Sequence, residues 1–274
     1  MSATFAGLTL DRPLIMGIVN VTPDSFSDGG DAFGHDAAIA RARELINQGA
    51  DIIDIGGEST RPGADVISDS EEISRVENVV KTLCDEGAVV SIDPRHASVM
   101  EAAIGAGAKI VNDVTALEDD PRSLEVVANA GVSLALMHMQ GEPQTMQENP
   151  HYDDVVVEVR AYLADRLAVC EAAGLNRSEI AIDPGIGFGK TIDHNLSLLN
   201  HLDEFATLGC PVLLGVSRKS FIAKLSAGEE PKDRFPGSIA SALAGVMRGA
   251  QIIRVHDVRE TKQAISIWQA IEGA

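Results

Sequence analysis

The sequence predicts a single (β/α)8 TIM barrel with a candidate active site at the C-terminal ends of its strands. Eight short runs rich in Val, Ile and Leu alternate with longer amphipathic segments along 274 residues, about the length that such a barrel needs. Strict alternation favours parallel pairing, whereas a doubly wound sheet usually has fewer strands and a crevice at its switch point. No linker or low-complexity tract divides the chain, so we expect residues 1–274 to form one domain.

Each predicted element has its own signal in the sequence. Apolar runs of four to seven residues predict buried strands at Leu14–Asn20, Asp51–Gly56, Val89–Asp93, Lys109–Asp113, Val132–His138, Ile180–Asp183, Val212–Val216 and Ile252–His256. Apolar residues at three-to-four spacing predict helices between them, for example at Ala37–Gln48, Glu71–Glu86, Val155–Ala173, Asn195–Phe205 and Glu260–Ile271.

The charge, the cysteine count and the lengths of the apolar runs disfavour several classes of partner and site. With 22 basic and 41 acidic residues the net charge is −19, which disfavours nucleic acid and acidic membranes as partners. Cys84, Cys170 and Cys210 are odd in number and widely spaced, so we expect no disulfide framework, no structural zinc and a reducing, cytoplasmic compartment. No apolar run approaches the roughly 18 to 20 residues that span a bilayer.

Polar side chains end several of the apolar strands. Asp93, Asn112 and Asp183 occupy equivalent positions, where a carboxylate or amide costs free energy unless it is partnered or faces a polar ligand. Helix capping is the alternative for each of them, because Asp and Asn often cap a following helix. Capping explains three such residues less well than a shared site does.

The first two loops are rich in polar residues and glycine. One is N-V-T-P-D-S-F-S-D-G-G, from Asn20 to Gly30, and the other is G-G-E-S-T-R-P-G, from Gly56 to Gly63, in which Arg61 suits a phosphate or carboxylate. Composition alone does not separate a functional loop from an ordinary turn-rich one.

The segment D-P-G-I-G-F-G-K-T, from Asp183 to Thr191, ends in Gly-Lys-Thr like a phosphate-binding loop. The spacing fails, because the position of the first required glycine is Pro184. A glycine-lined pocket wall in which Phe188 offers a flat face is the better interpretation. His138, in L-M-H-M, is expected to be a packed, hydrogen-bonded residue rather than a catalytic one.

Basic residues gather at the ends of the last two strands, in S-R-K-S from Ser217 to Ser220 and R-V-H-D-V from Arg254 to Val258. These positions form the usual phosphate corner of a barrel. An anion binds to so acidic a protein only where positive charges are clustered. The basic residues of these two segments can form such a cluster together with Arg61. Solvated surface ion pairs are the alternative.

Taken together, these motifs resemble those of the dihydropteroate synthases of bacterial folate biosynthesis. The resemblance runs from about Met16 to about Thr261. It adds S-I-D and N-D-V to the motifs above, which gives one motif for each strand, in the family's order. It implies a transferase that joins 6-hydroxymethyl-7,8-dihydropterin diphosphate to p-aminobenzoate, releasing diphosphate with the help of Mg²⁺. It also implies a homodimer and a sulfonamide target.

The resemblance also assigns roles to individual residues. The residues expected to bind the pterin ring are Asp93, Asn112, Asp183, Lys219 and Arg254. Those expected to bind the diphosphate are Asn20, acting through Mg²⁺, and Arg61, Arg254 and His256. Those expected to bind p-aminobenzoate are Phe26, Thr60, Pro62, Phe188 and Ser220. The catalytic set is Asp93, Asp183, Lys219, Arg61 and His256.

One residue departs from the family pattern, and two other functions remain to be weighed. The family usually has Thr after the third-strand Asp, where this chain has Pro94, which lacks an N–H. A related pterin-binding methyltransferase needs no diphosphate site, so the F-S-D-G-G, S-T-R-P-G and R-V-H-D-V segments argue against it. An inactive paralogue typically loses these loops, and here they are intact.

Overall fold

Eight parallel strands close into a barrel in the computed structural model, which describes residues 3–22, 31–58, 67–142 and 145–274. The barrel strands are β3 (Leu14–Asn20), β4 (Ile52–Gly56), β5 (Val90–Ile92), β6 (Ile110–Asp113), β7 (Ser133–Met137), β8 (Ile180–Asp183), β9 (Val212–Gly215) and β10 (Ala250–Val255). Neighbours pair in chain order, and β10 closes the ring by pairing Ile252 with Leu14. The predicted (β/α)8 barrel is confirmed, and the open doubly wound sheet is excluded.

Helices surround the barrel between its strands. They are α1 (Asp31–Gln48), α2 (Asp69–Asp85), α3 (Ala97–Gly105), α4 (Ser123–Ala130), α5 (Val155–Ala172), α6 (Ile192–Asn200), α7 (Asp203–Ala206), α8 (Ser220–Leu225), α9 (Phe235–Val246) and α10 (Val258–Glu272). Short 3-10 turns lie at Arg177–Glu179 and Pro231–Asp233. Within the described ranges, no helix combines the length and the apolar character that crossing a membrane requires. The three cysteines are free thiols in the structure.

The helix predicted over Asn195–Phe205 is divided in two, so this prediction is wrong in its continuity. The chain leaves the helical conformation at His201, whose φ is −115° and ψ is 31°. Helix α7 then begins after Leu202, which is fully buried.

Alternate residues along each strand lie on the same face of the sheet. The face that points into the barrel can therefore be followed from one end of the interior to the other. At the N-terminal ends of the strands this face is apolar and forms one buried cluster: Leu14, Met16, Ile52, Ile110, Ala135, Ala181, Leu213 and Ile252. Two residues further along, the same face carries Asp54 after Ile52, Asn112 after Ile110, and Arg254 after Ile252. The interior is therefore apolar at one end and polar at the other.

A two-stranded hairpin that the sequence analysis did not predict covers the apolar end. Strands β1 (Thr4–Phe5) and β2 (Leu8–Thr9) meet at Ala6 and Gly7, which both have positive φ, 50° and 77°. Such a turn normally carries Asn-Gly, so Ala-Gly gives little signal. Phe5 is fully buried in the apolar cluster, and the Ala6 N–H donates to Glu179 Oε2 at 3.2 Å.

We expect Phe5→Ala to lower the free energy of unfolding by about 3 kcal/mol, because it removes a buried ring and leaves a cavity that the rigid barrel cannot close. Urea unfolding followed by circular dichroism measures this loss. Thr4→Ala is the matched control, since Thr4 is exposed on the same strand. Equal stability of the two variants would show that the hairpin does not seal the barrel.

Candidate active site

A charged network crosses the polar end of the barrel and is centred on Arg254. Its Nε donates to Asp54 Oδ2 at 2.6 Å, and its Nη2 donates to Asp93 Oδ2 at 2.7 Å. Asp54 Oδ2 also accepts from Asn112 Nδ2 at 3.2 Å. Residues from β4, β6 and β10, together with Asp93 directly after β5, thus form one hydrogen-bonded unit. Since Asp93 pairs with Arg254, helix capping does not account for it.

Asp54 was missed by the sequence analysis, which treated Asp51–Gly56 as an apolar strand. The residue is fully buried, and its partner Arg254 lies 200 positions away. The signal was present: a single carboxylate within an apolar strand must be partnered, because burying an isolated charge costs too much. Asp54 holds the Arg254 guanidinium in one orientation.

We expect Asp54→Ala to lower the free energy of unfolding by about 3 kcal/mol, because it leaves the Arg254 charge and the Asn112 amide without their shared acceptor. Denaturant unfolding measures the change. Asp54→Asn keeps the volume and one acceptor oxygen, so its loss should be smaller. A loss below about 1 kcal/mol in both variants would mean that water replaces the carboxylate without cost.

Two acceptor atoms in this network have no donor within the described residues. Asp54 Oδ1 and Asp93 Oδ1 are buried and accept no hydrogen bond there. Burial raises the pKa of Asp93 above its ordinary value, Asp54 and Asp113 add to this, and Arg254 opposes it. Burial disfavours the Arg254 charge, yet Asp54 and Asp93 outweigh it and raise the pKa of Arg254. The site therefore presents acceptors that suit a ligand rich in N–H groups.

The loop after β8 forms one wall of this end. Asp183 Oδ1 accepts from the Gly185 N–H at 2.7 Å, and burial raises the pKa of Asp183 to about 6. Lys219 Nζ lies 4.0 Å from the centroid of the Phe188 ring, a cation–π contact. A Cβ at Gly187, whose φ is +85°, would lie 3.2 Å from Lys219 Cδ. Glycine therefore lets the loop approach the lysine closely.

Lys219 is an electrostatic neighbour of both Asp183 and Asp93. Burial lowers its pKa to about 8, and Asp183 opposes that shift. The structure thus places five predicted pterin residues at the same end of the barrel: Asp93, Asn112, Asp183, Lys219 and Arg254.

Part of the positive charge predicted at the ends of the last two strands is paired with a carboxylate. Arg218 has a left-handed φ of 59° and forms an ion pair with Asp257 through Nε and Nη2. Its charge is therefore partly balanced by Asp257. His256 Nδ1 lies 2.9 Å from Ser217 Oγ, and the His256 N–H donates to the same hydroxyl at 3.1 Å. Ser220 begins α8 and is exposed.

The first strand contributes Asn20, its last residue, whose Oδ1 would lie 3.5 Å from a Cβ at Gly56. The predicted residues Phe26, Thr60, Arg61 and Pro62 lie outside the described residues. Pro94 does not interrupt the barrel, because the neighbouring bond to the Ile55 carbonyl comes from the Asp93 N–H at 2.8 Å. Arg95 instead donates to both carboxylate oxygens of Glu58, at 2.9 and 3.3 Å.

Comparison with known proteins agrees with this geometry. The family model described as pterin binding enzyme matches residues 16–256. A dihydropteroate synthase of Neisseria meningitidis serogroup B is 50% identical over 96% of this chain and 94% of its own length. That of Escherichia coli strain K12 is 47% identical over 97% of this chain and 94% of its own. The chain belongs to the dihydropteroate synthases.

Solved dihydropteroate synthases share the whole architecture. The Xanthomonas albilineans enzyme with 4-aminobenzoic acid superimposes with a TM-score of 0.94 and 46% identity over 100% of both chains. The Yersinia pestis enzyme in a sulfonamide drug complex gives a TM-score of 0.93 and 45% identity over 100% of both chains. Identity this high over the full length favours the dihydropteroate synthase interpretation over the methyltransferase one, and the chain is accordingly a transferase.

Proposed function

We propose that the polar end of the barrel binds 6-hydroxymethyl-7,8-dihydropterin diphosphate and transfers its pterin methylene group to p-aminobenzoate, the dihydropteroate synthase reaction. The observation that carries this is the pair of buried carboxylate oxygens of Asp54 and Asp93 beside two cations, in a chain of this family. A pterin edge offers amino and ring N–H donors to carboxylates, and it offers O4 and ring nitrogens to cations.

The pterin ring is assigned to the residues that the structure brings together. Asp93, Asn112 and Asp183 face its donor edge, and Lys219 faces O4. Arg254 stacks on the ring: its guanidinium is fixed by carboxylates on two sides, and its side chain is 23% exposed, which leaves a face open. Pre-orientation of this kind lowers the entropy cost of binding.

The chemistry asks for charge stabilisation more than for proton abstraction. The C–O bond to diphosphate breaks and leaves positive charge delocalised into the electron-rich pterin. The neutral arylamine nitrogen then bonds to the methylene carbon and loses a proton to solvent. Asp93 and Asp183 stabilise the cationic pterin, while Arg61 and His256 stabilise the departing diphosphate. No activated nucleophile on the protein is required.

Magnesium is the metal that the donor chemistry suits. Among the described residues, no group of three or more His, Cys, Asp or Glu side chains is arranged to hold a metal. Mg²⁺ needs no such cage, because it commonly keeps several waters and binds through substrate phosphates plus one or two protein oxygens. Asn20 Oδ1, at the end of β3, is the protein oxygen that we assign to it. Bound there, Mg²⁺ neutralises diphosphate charge.

The p-aminobenzoate ring is assigned to the wall around Phe188, whose ring already lies against Lys219. The exposed Ser220 hydroxyl suits its carboxylate. Phe26, Thr60 and Pro62 complete this assignment from the first two loops. The bound 4-aminobenzoic acid of the Xanthomonas albilineans enzyme supports the choice of second substrate.

The decisive experiment measures diphosphate release with both substrates and with each alone, and it separately measures loss of the methyl group from methyl-tetrahydrofolate in the presence of a methyl acceptor. We expect release only when both substrates are present, together with formation of 7,8-dihydropteroate. Methyl transfer would support the related methyltransferase instead. A folded protein without either activity would support the inactive paralogue.

A homodimer in the cytoplasm completes the proposal. The three unpaired cysteines fit a reducing compartment. We assign the interface to α8, α9 and the residue after α9, where Leu225, Phe235 and Met247 leave 53%, 37% and 63% of their surface exposed. Sedimentation equilibrium distinguishes a dimer from a monomer.

A further inference from the structure

A buried lysine lies beneath the loop that carries Asp183 and Phe188, and none of the roles above uses it. Lys190 is 3% exposed. Its Nζ lies 2.9 Å from His138 Nδ1, 2.9 Å from the Phe188 carbonyl oxygen and 3.4 Å from the His138 carbonyl oxygen. These three neighbours belong to the end of β7 and to the loop after β8, so Lys190 joins two strand ends.

The neighbours of Lys190 can accept all three hydrogens of its ammonium. An ammonium has three N–H donors and no acceptor, and here it meets two carbonyl oxygens and one ring nitrogen. All three donors are satisfied when Lys190 is protonated and His138 is neutral with its proton on Nε2. Burial and the Lys190 charge lower the pKa of His138 to about 3, in agreement with that assignment.

The loop is also packed tightly on the β7 end. A Cβ at Gly185, whose φ is +70°, would lie 1.9 Å from the His138 carbonyl oxygen and 3.4 Å from Lys190 Nζ. Gly185 is the residue whose N–H holds Asp183 Oδ1. The Tyr152 hydroxyl donates to the Gly189 carbonyl at 2.9 Å. Gly185 thus lies between the Lys190 ammonium and the Asp183 carboxylate and is close to both.

We propose that Lys190 is a positioning residue of the pterin site: its ammonium ties the Asp183–Phe188 loop to His138 and supplies a positive charge that keeps Asp183 ionised. The inference rests on the proposed contact of Asp183 with the pterin ring. It concerns the ground state of the site and involves no covalent step.

The surrounding charges determine the direction of the effect. Three cations act on Asp183 from different elements, Lys219 after β9, Arg254 on β10 and Lys190 after β8, and all lower its pKa against the larger effect of burial. Burial lowers the pKa of Lys190 to about 7, Asp183 opposes that shift and Lys219 adds to it. Lys190 is therefore protonated at the lower pH at which Asp183, with a pKa of about 6, titrates. His194 on α6 also senses Lys190. Removing the Lys190 charge must therefore raise the pKa of Asp183.

The test compares two neutral variants with one charged variant. Lys190→Met removes both the charge and the donors, Lys190→Gln removes the charge but keeps two donors, and Lys190→Arg keeps the charge. The Asp183 carboxyl is titrated by carbon NMR in the full chain without ligand, and Asp183→Asn assigns its signal. Affinity for dihydropterin diphosphate is measured by calorimetry from pH 5 to 8.

We expect both neutral variants to raise the pKa of Asp183 by about half a unit, because Lys190 is the weakest of the three cations that act on it. Since binding is lost as the pH falls through this pKa, the acid limb of the affinity profile should move upward by the same amount. Lys190→Arg should leave the limb in place. Lys81→Met controls for the loss of one positive charge, because Lys81 is exposed on α2.

A weaker affinity at every pH without a shift of the limb, or an unchanged Asp183 pKa in both neutral variants, would overturn the inference. If the unaltered chain binds no dihydropterin diphosphate, the proposed function fails. The NMR titration still decides the electrostatic part in that case, since it uses no ligand.

Discussion

Asp183→Asn is expected to weaken binding of dihydropterin diphosphate about 1000-fold while the barrel stays folded. The carboxylate has two roles, since Oδ1 accepts from the Gly185 N–H and the other oxygen is left for the pterin. An amide replaces one oxygen by a donor, which must then face either the Gly185 N–H or the donors of the pterin. The loss of one charged hydrogen bond, roughly 1.5 to 3 kcal/mol, and the donor left without a partner, roughly 1 to 3 kcal/mol, together give a loss of this size.

Calorimetry at pH 7.5, above the Asp183 pKa of about 6, measures the effect with the unaltered residue ionised. Asp153→Asn is the matched control, because the Asp153 side chain is fully exposed and the substitution is chemically the same. Circular dichroism verifies the fold of both variants. Unchanged affinity in folded Asp183→Asn would refute the assignment of Asp183 to the pterin edge.

Removal of Mg²⁺ is expected to abolish turnover, and its return should restore it. Two of the cations at the polar end are already committed, Arg254 to Asp54 and Asp93, and Arg218 to Asp257. With a net charge of −19, the chain has little positive charge left to balance a departing diphosphate. Diphosphate release is measured after EDTA treatment and again after adding Mg²⁺.

Asn20→Ala should raise the Mg²⁺ concentration needed for half-maximal turnover, since one protein oxygen is lost. Asn47→Ala on α1 is its control, because Asn47 lies away from the strand ends. Calorimetric titration of Mg²⁺ in the presence of diphosphate gives a readout that does not depend on turnover. Full activity in metal-stripped buffer would contradict the magnesium proposal.

The sequence by itself was sufficient for the barrel and for the end at which the polar residues lie. Apolar β-branched runs separated by amphipathic helices leave parallel pairing as the arrangement that buries both strand faces. Once the strands are parallel, residues that end them, such as Asn112 and Asp183, necessarily come to one end. Local signals were enough there, because each depends on a few neighbouring residues.

Only the tertiary structure decided which of these polar groups are partners. Asp54 and Arg254 are 200 positions apart, and Lys190 and His138 are 52 apart, so no local pattern pairs them. The pairing follows from barrel closure and from the period of two along each strand, which turns Asp54 and Arg254 to the same interior. The pairing of Arg218 with Asp257 was likewise invisible to local patterns, because Asp257 reaches Arg218 only when β10 lies beside β9.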